Sequence, residues 1–178
     1  MAPDIGLAEI YVQPGESHLI TEPMIFRTVL GSCVGVAFLA RARGIAALCH
    51  PMLPQLPAQR RNRLELQDAR RYVDFAIQDI ARQFDAYGIR PGDVEVKLFG
   101  GADVLPIARH ATRSTVGTLN SEMAERVLRE EGFVIAASSL GGTSGIRLEF
   151  HTGTGEVRLR RLNHAEETPA TQRNGSKG

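Results

Sequence analysis

From Phe26 to Cys49 three apolar stretches, Phe26–Leu30, Val34–Leu39 and Gly44–Cys49, follow one another with only a few residues between them. Gaps this short cannot hold a crossover helix, so the strands must be joined by turns rather than built into parallel βαβ units. Arg41–Arg43 turns the chain between the last two, and Glu9–Gln13 reads as a further strand. The first third of the chain is therefore mostly sheet.

The period then changes. Leu66, Ala69, Val73, Ala76, Ile77, Ile80 and Phe84 recur at three- and four-residue steps, which predicts an amphipathic helix over Leu64–Tyr87, ended by Gly88. Val94–Phe99 alternates as a strand and runs into Gly100-Gly101. A second helix is expected to start at Asn120 or Ser121, either of which can cap it, and to run to Gly132. Phe133–Leu140 reads as a strand broken off by Gly141-Gly142. Ile146–His151 and Glu156–Leu162 read as a hairpin around Thr152–Gly155. The sum is a mixed α+β domain with about eight strands and two substantial helices.

A chain of 178 residues, 43% of them hydrophobic, can bury one core but not comfortably two. One domain over residues 1–163 is expected. The remainder, His164–Gly178, lacks large apolar residues and reads as a disordered tail. The 21 basic and 20 acidic residues nearly cancel, so no overall field favours nucleic acid or anionic lipid. No stretch approaches the roughly 20 apolar residues that span a bilayer, and the N-terminus lacks the pattern of a secretory signal. No membrane insertion is expected, and the expected location is cytoplasmic. There Cys33 and Cys49 would stay thiols.

Cys33 follows Gly31-Ser32 at the start of an apolar strand. Gly31 permits a sharp turn and a close substrate approach, and free N–H groups around such a turn can receive an oxyanion. If Val34–Leu39 and Gly44–Cys49 pair antiparallel, the hairpin returns His50 to face residue 33 or its neighbour. That is the reach needed for an imidazole to activate a thiol. Taken singly, a cysteine in an apolar run is usually an inert hydrophobe and a lone histidine usually structural; mutual reach is what raises this pair. Cys49 should point to the opposite face, into the core. Ser32 should face away from Cys33 and reads as a backbone or hydroxyl helper.

Leu30-Gly-Ser-Cys-Val34 followed by His50-Pro-Met-Leu-Pro54 resembles the paired signature of the CheD family, the chemoreceptor glutamine deamidases. Lys97–Ala102, Val116–Asn120 and Leu140–Arg147 are similar to further segments of that family, in the same order, so the resemblance runs from about Leu7 to Leu162. It implies a layered sandwich of two packed mixed sheets flanked by helices, similar to deamidating toxin domains. It also implies a protein-glutamine glutaminase, a cysteine amidohydrolase that converts receptor glutamines to glutamate and ammonia in chemotaxis adaptation. On this sequence Cys33 would be nucleophile and His50 general base. The third member would be Thr28, five residues before the cysteine; some family members place it six before, where this chain has Arg27, and on a strand that slip changes the face. Partners implied are the cytoplasmic helices of methyl-accepting chemoreceptors and a CheC-type phosphatase. Receptor methyl esters are chemically compatible substrates.

Other features carry less. The glycine pairs lack the lysine and helix of a phosphate loop, although Gly100 and Gly101 could line the mouth of the site. His18, His110, His151 and His164 show no metal-ligand spacing, so no metal or cofactor is expected. Arg60, Arg61, Arg63, Arg70 and Arg71 form a basic patch, either a solvated face or a dock for acidic helices. Two rival functions stay open: a non-catalytic receptor- or phosphatase-binding module, and a cysteine hydrolase or acyltransferase acting on another amide.

Overall fold

A computed structural model of the chain describes residues 6–104 and 114–163. The expected tail at 164–178 lies outside the described residues, as do His110 and His164.

Among the described residues nine strands form two sheets. The first sheet orders β1 (Glu9–Tyr11), β3 (Ile25–Leu30), β8 (Ile146–His151) and β9 (Glu156–Arg161) side by side; only β1 and β3 run parallel. The second orders β2 (Ser17–Ile20), β5 (Ile45–Cys49), β4 (Val34–Ala40), β6 (Glu95–Gly100) and β7 (Ile135–Leu140), parallel only between β6 and β7. Both sheets are therefore mixed, as expected. Gly31–Cys33 is the stretch by which the chain leaves the first sheet and enters the second.

Alternation explains the layering. Phe26, Thr28 and Leu30 of β3 are buried, whereas Arg27 and Val29 are only partly so, and Leu148 and Phe150 of β8 are likewise buried. These side chains meet Ala37, Leu39, Ala46 and Leu48 of the second sheet in a common apolar layer. Strands β4 and β5 are buried along their whole length because their other face is covered too. There Val36, Phe38, Ala47 and Cys49 pack against α2 (Val73–Ala86) and α3 (Val116–Glu130). Both helices pack on the second sheet, so the layers run sheet, sheet, helix. Phe38, fully buried, meets Phe133 edge-on at 5.4 Å; cutting such a ring to alanine typically costs about 3–5 kcal/mol.

Three boundaries differ from the sequence reading. The long helix is interrupted: α1 (Leu66–Ala69) is a single turn, and Tyr72 is extended, with φ −99° and ψ 133°, before α2 begins. The reason is a parallel bridge, in which Met52 N donates to Arg71 O and Val73 N to Leu53 O, both at 2.8 Å. Strand β2 was not anticipated. Helix α3 starts at Val116, not at Asn120 or Ser121, because Thr115 is the cap: its Oγ1 accepts from Thr118 N at 3.1 Å while it donates to the Asp103 carboxylate. Asn120 consequently lies inside the helix.

Candidate active site

His50 follows directly on β5. Its backbone is held from both sides, with His50 N donating to Glu16 O at 2.9 Å and Gly15 N donating to His50 O at 2.7 Å. The ladder pairs Val36 with Cys49, so its continuation sets Gly35 opposite His50 and Val34 opposite Pro51; Val34 N donates to Pro51 O at 3.3 Å. His50 thus faces Gly35, two residues along from Cys33. A Cβ on Gly35 would strike Leu30 Cδ1 at 2.9 Å, so this face of β4 looks onto the first sheet. Cys33, two residues earlier, shares that face and packs against the layer between the sheets. By register Cys33 and His50 fall on one surface, and no hydrogen bond joins His50 Nε2 to the thiol. Cys49 lies on the opposite, helix-covered face, as the alternation required.

Thr28 reaches His50 from the first sheet. Its Oγ1 lies 2.8 Å from His50 Nδ1 and 2.7 Å from Val12 O. A carbonyl can only accept, so the single hydroxyl hydrogen goes to Val12 O, and Nδ1 must be the donor to Thr28. That fixes the tautomer: Nδ1 carries the hydrogen and Nε2 keeps its lone pair. His50 Nε2 is buried and has no hydrogen-bond partner among the described residues. Arg27 points outward, pairing with Glu9 and Glu149 at 3.0 Å each, so Thr28 is the residue that meets the imidazole.

Burial acts on both Cys33 and His50. It pushes the Cys33 thiol above its ordinary value and the His50 imidazole from 6.5 down to about 4, against a smaller upward pull from its bond to Val12. The resting pair is therefore neutral thiol and neutral imidazole. Cys49, fully buried, is pushed up to about 12 and is chemically silent near neutral pH.

The Gly31–Cys33 loop is anchored by its carbonyls. Gly31 O accepts from Ala102 N at 2.9 Å, Ser32 O from Asn120 Nδ2 at 2.9 Å, and Cys33 O from Gly101 N at 2.8 Å. Among the described residues the N–H groups of Gly31, Ser32 and Cys33 donate no hydrogen bond outside the strand ladders. Backbone donors beside a thiol are what an oxyanion requires. Gly100 makes this approach possible: with φ 97°, a Cβ there would stand 2.3 Å from Cys33 O. A cleft of about 210 Å³ lined by Leu30, Gly100, Ala102, Gly142 and Arg161 borders the loop, although neither Cys33 nor His50 lines it.

Of the basic patch, Arg61 and Arg70 are drawn inward to Asp74 and Asp79 at 3.0 and 2.9 Å, and Arg71 pairs with Asp68. Among the described residues no three His, Cys, Asp or Glu side chains converge where a metal could sit, and no helix is long and apolar enough to cross a membrane. The sequence reading missed Val12, whose carbonyl orders Thr28, and the contacts of Asn120. Val12 acts through its backbone, which leaves no trace in residue type.

A thiol, an imidazole and a hydroxyl thus lie where one sheet gives way to the next in a two-sheet α+β domain. The family described as CheD chemotactic sensory transduction matches residues 52–161. Probable chemoreceptor glutamine deamidase CheD 2 of Geobacter sulfurreducens is 43% identical over 160 residues, covering 90% of this chain and 94% of its own length. Probable chemoreceptor glutamine deamidases CheD of Oleidesulfovibrio alaskensis and Rhodospirillum rubrum are 37% and 34% identical, covering 91% and 87% of this chain and 76% and 83% of their own. The chain belongs to the CheD family.

Proposed function

We propose that the protein is a chemoreceptor glutamine deamidase in which Cys33 is the nucleophile, His50 the general base and Thr28 the residue that orients the imidazole. The observation that carries this is the Thr28–His50 contact, whose donor direction leaves Nε2 as a bare, buried base on the face shared with Cys33. In the first step Nε2 takes the thiol proton as Sγ attacks the side-chain carbonyl carbon of a receptor glutamine. The N–H edge of Gly31, Ser32 and Cys33 receives the oxyanion. Collapse breaks the C–N bond, His50 returns its proton to the departing nitrogen, and ammonia leaves a thioester on Cys33. Water, deprotonated by His50, then attacks the thioester to give glutamate and restore the thiol. The sum is glutamine plus water to glutamate plus ammonia.

Because both groups rest neutral, proton transfer accompanies attack rather than preceding it. The catalytic unit is one domain over residues 1–163, working in the cytoplasm on the helices of methyl-accepting receptors, with a CheC-type phosphatase as modulating partner. The test is to incubate the protein with receptor cytoplasmic fragments and follow the gain of about one dalton per converted glutamine. Conversion that persists undiminished with Cys33→Ala, or fails with every native receptor, would sink the enzymatic reading. In the latter case the binding-module alternative takes its place.

A further inference from the structure

We propose that Asn120 is a positioning residue that locks the nucleophile loop to the segment carrying the base, an inference that rests on the deamidase reading above. Its side chain is fully buried in the second turn of α3. Both hydrogens of Nδ2 are spent on the site's two arms. One goes to Ser32 O, the carbonyl just before Cys33, and the other to Met52 O, two residues after His50, each at 2.9 Å. Among the described residues no other side chain hydrogen-bonds to both arms.

The peptide group transmits the effect. Ser32 C=O and Cys33 N–H belong to one planar trans unit and point in opposite directions. Holding the oxygen toward α3 therefore aims the Cys33 N–H away from the helix. The same amide thus fixes an oxyanion donor and the sulfur's place relative to the imidazole. The fold gives up side chains to bring the helix this close: a Cβ on Gly117 would lie 2.6 Å from Gly101 O, and one on Gly101 would lie 2.0 Å from Ser121 Oγ.

Pairing two carbonyls also stabilises the fold, and Asn120 Oδ1 is buried without a hydrogen-bond partner among the described residues. The alignment role therefore rests on where the two hydrogens go, one to each arm of a single site, and the test must separate it from a contribution to stability.

The test uses Asn120→Asp, close in shape but able to donate at most one hydrogen, and only when protonated, to two carbonyls, and the shorter Asn120→Ser, each in the full chain. Two readouts are needed: kcat and KM on a receptor fragment, and the rate of Cys33 alkylation by iodoacetamide across about pH 6 to 9. For Asn120→Asp we expect kcat to fall about 30-fold with KM within about twofold. We expect its alkylation profile to coincide with that of His50→Ala, and the double variant to be no slower than His50→Ala alone. The inference is overturned if the folded variants keep kcat within about threefold, if the two substitutions multiply in alkylation, or if both Asn120 variants lose cooperative unfolding, since the residue would then serve the fold. Alkylation needs no receptor. Failure of the unaltered protein to convert glutamine, with the coupling between Asn120 and His50 intact, would remove the deamidase reading and leave the positioning role standing.

Discussion

Thr28, in the first sheet, meets His50, at the end of a strand of the second, across 2.8 Å, and the hydroxyl accepts because Val12 O already takes its hydrogen. Replacing Thr28 by valine keeps the shape and deletes the acceptor. Nδ1 is then left with only Val12 O at 3.4 Å, and the imidazole can turn or change tautomer. Steady-state deamidation by Thr28→Val should show kcat lowered about 10- to 100-fold with KM little changed. Thr28→Ser, which keeps the oxygen, should recover most of that loss.

The two cysteines should separate by reactivity. Cys33 is half-buried, whereas Cys49 is fully buried and pushed up to about 12. Mass spectrometry after brief iodoacetamide treatment should find the native protein alkylated at Cys33 alone and the unfolded protein alkylated at both. Cys49→Ser should keep the chemistry but lose about 1–3 kcal/mol of stability in urea unfolding, because it places a hydroxyl in the apolar helix-facing core.

Acid should loosen the fold through His50. Its pKa is lower folded, about 4, than unfolded, 6.5. Between these values the unfolded chain binds the proton and the folded one does not, so stability rises with pH through that window. The contribution is fully present above pH 6.5 and is lost as pH falls toward 4, a swing of about 3 kcal/mol. Urea midpoints measured at both ends of the window should show this loss, and His50→Gln, which does not titrate, should show much less of it.

Gly100 and Gly44 offer a paired test of crowding against conformation. Gly44 has φ 63° and nothing within 4 Å of an added Cβ, so Gly44→Ala should cost about 1–2 kcal/mol from backbone strain alone. Gly100→Ala adds a collision 2.3 Å from Cys33 O to its own positive φ. It should lower the thermal midpoint further, and it alone of the two should depress kcat, because the displaced carbonyl belongs to Cys33, the proposed nucleophile.

Much of this was legible in the residues. The short gap at Arg41–Arg43 dictated the antiparallel pairing of β4 with β5, which put His50 on the face opposite Cys49, whereas the equally short gap at Gly31–Cys33 made no hairpin, because β3 and β4 lie in different sheets. The hairpin of β8 and β9 announced itself by alternation and a four-residue turn. What stayed hidden depended on contacts distant in sequence. Strand β2 reads Ser-His-Leu-Ile, too short and polar to stand out, and exists because it pairs with β5. The kink at Tyr72 comes from backbone bonds to Met52 and Leu53, which residue type does not encode. Asn120 looked like a helix cap because Asn favours that position. Thr115 holds it instead, and the buried amide finds work only once α3 lies against both loops. The sequence already pointed to Thr28, but which face of β3 it takes, and so its contact with His50 Nδ1, is set by pairing with strands far along the chain.

The short passage Gly31–Cys33 carries the chain from one layer to the other, with Thr28 on the near bank and His50 on the far one. The alignment of sulfur, imidazole and hydroxyl is consequently a gauge of the spacing between layers, set by large side chains such as Phe150 and Leu48 that never meet a substrate. Thinning that filling would detune the chemistry from a distance, and a ligand that pried the layers apart would switch it off without touching the thiol.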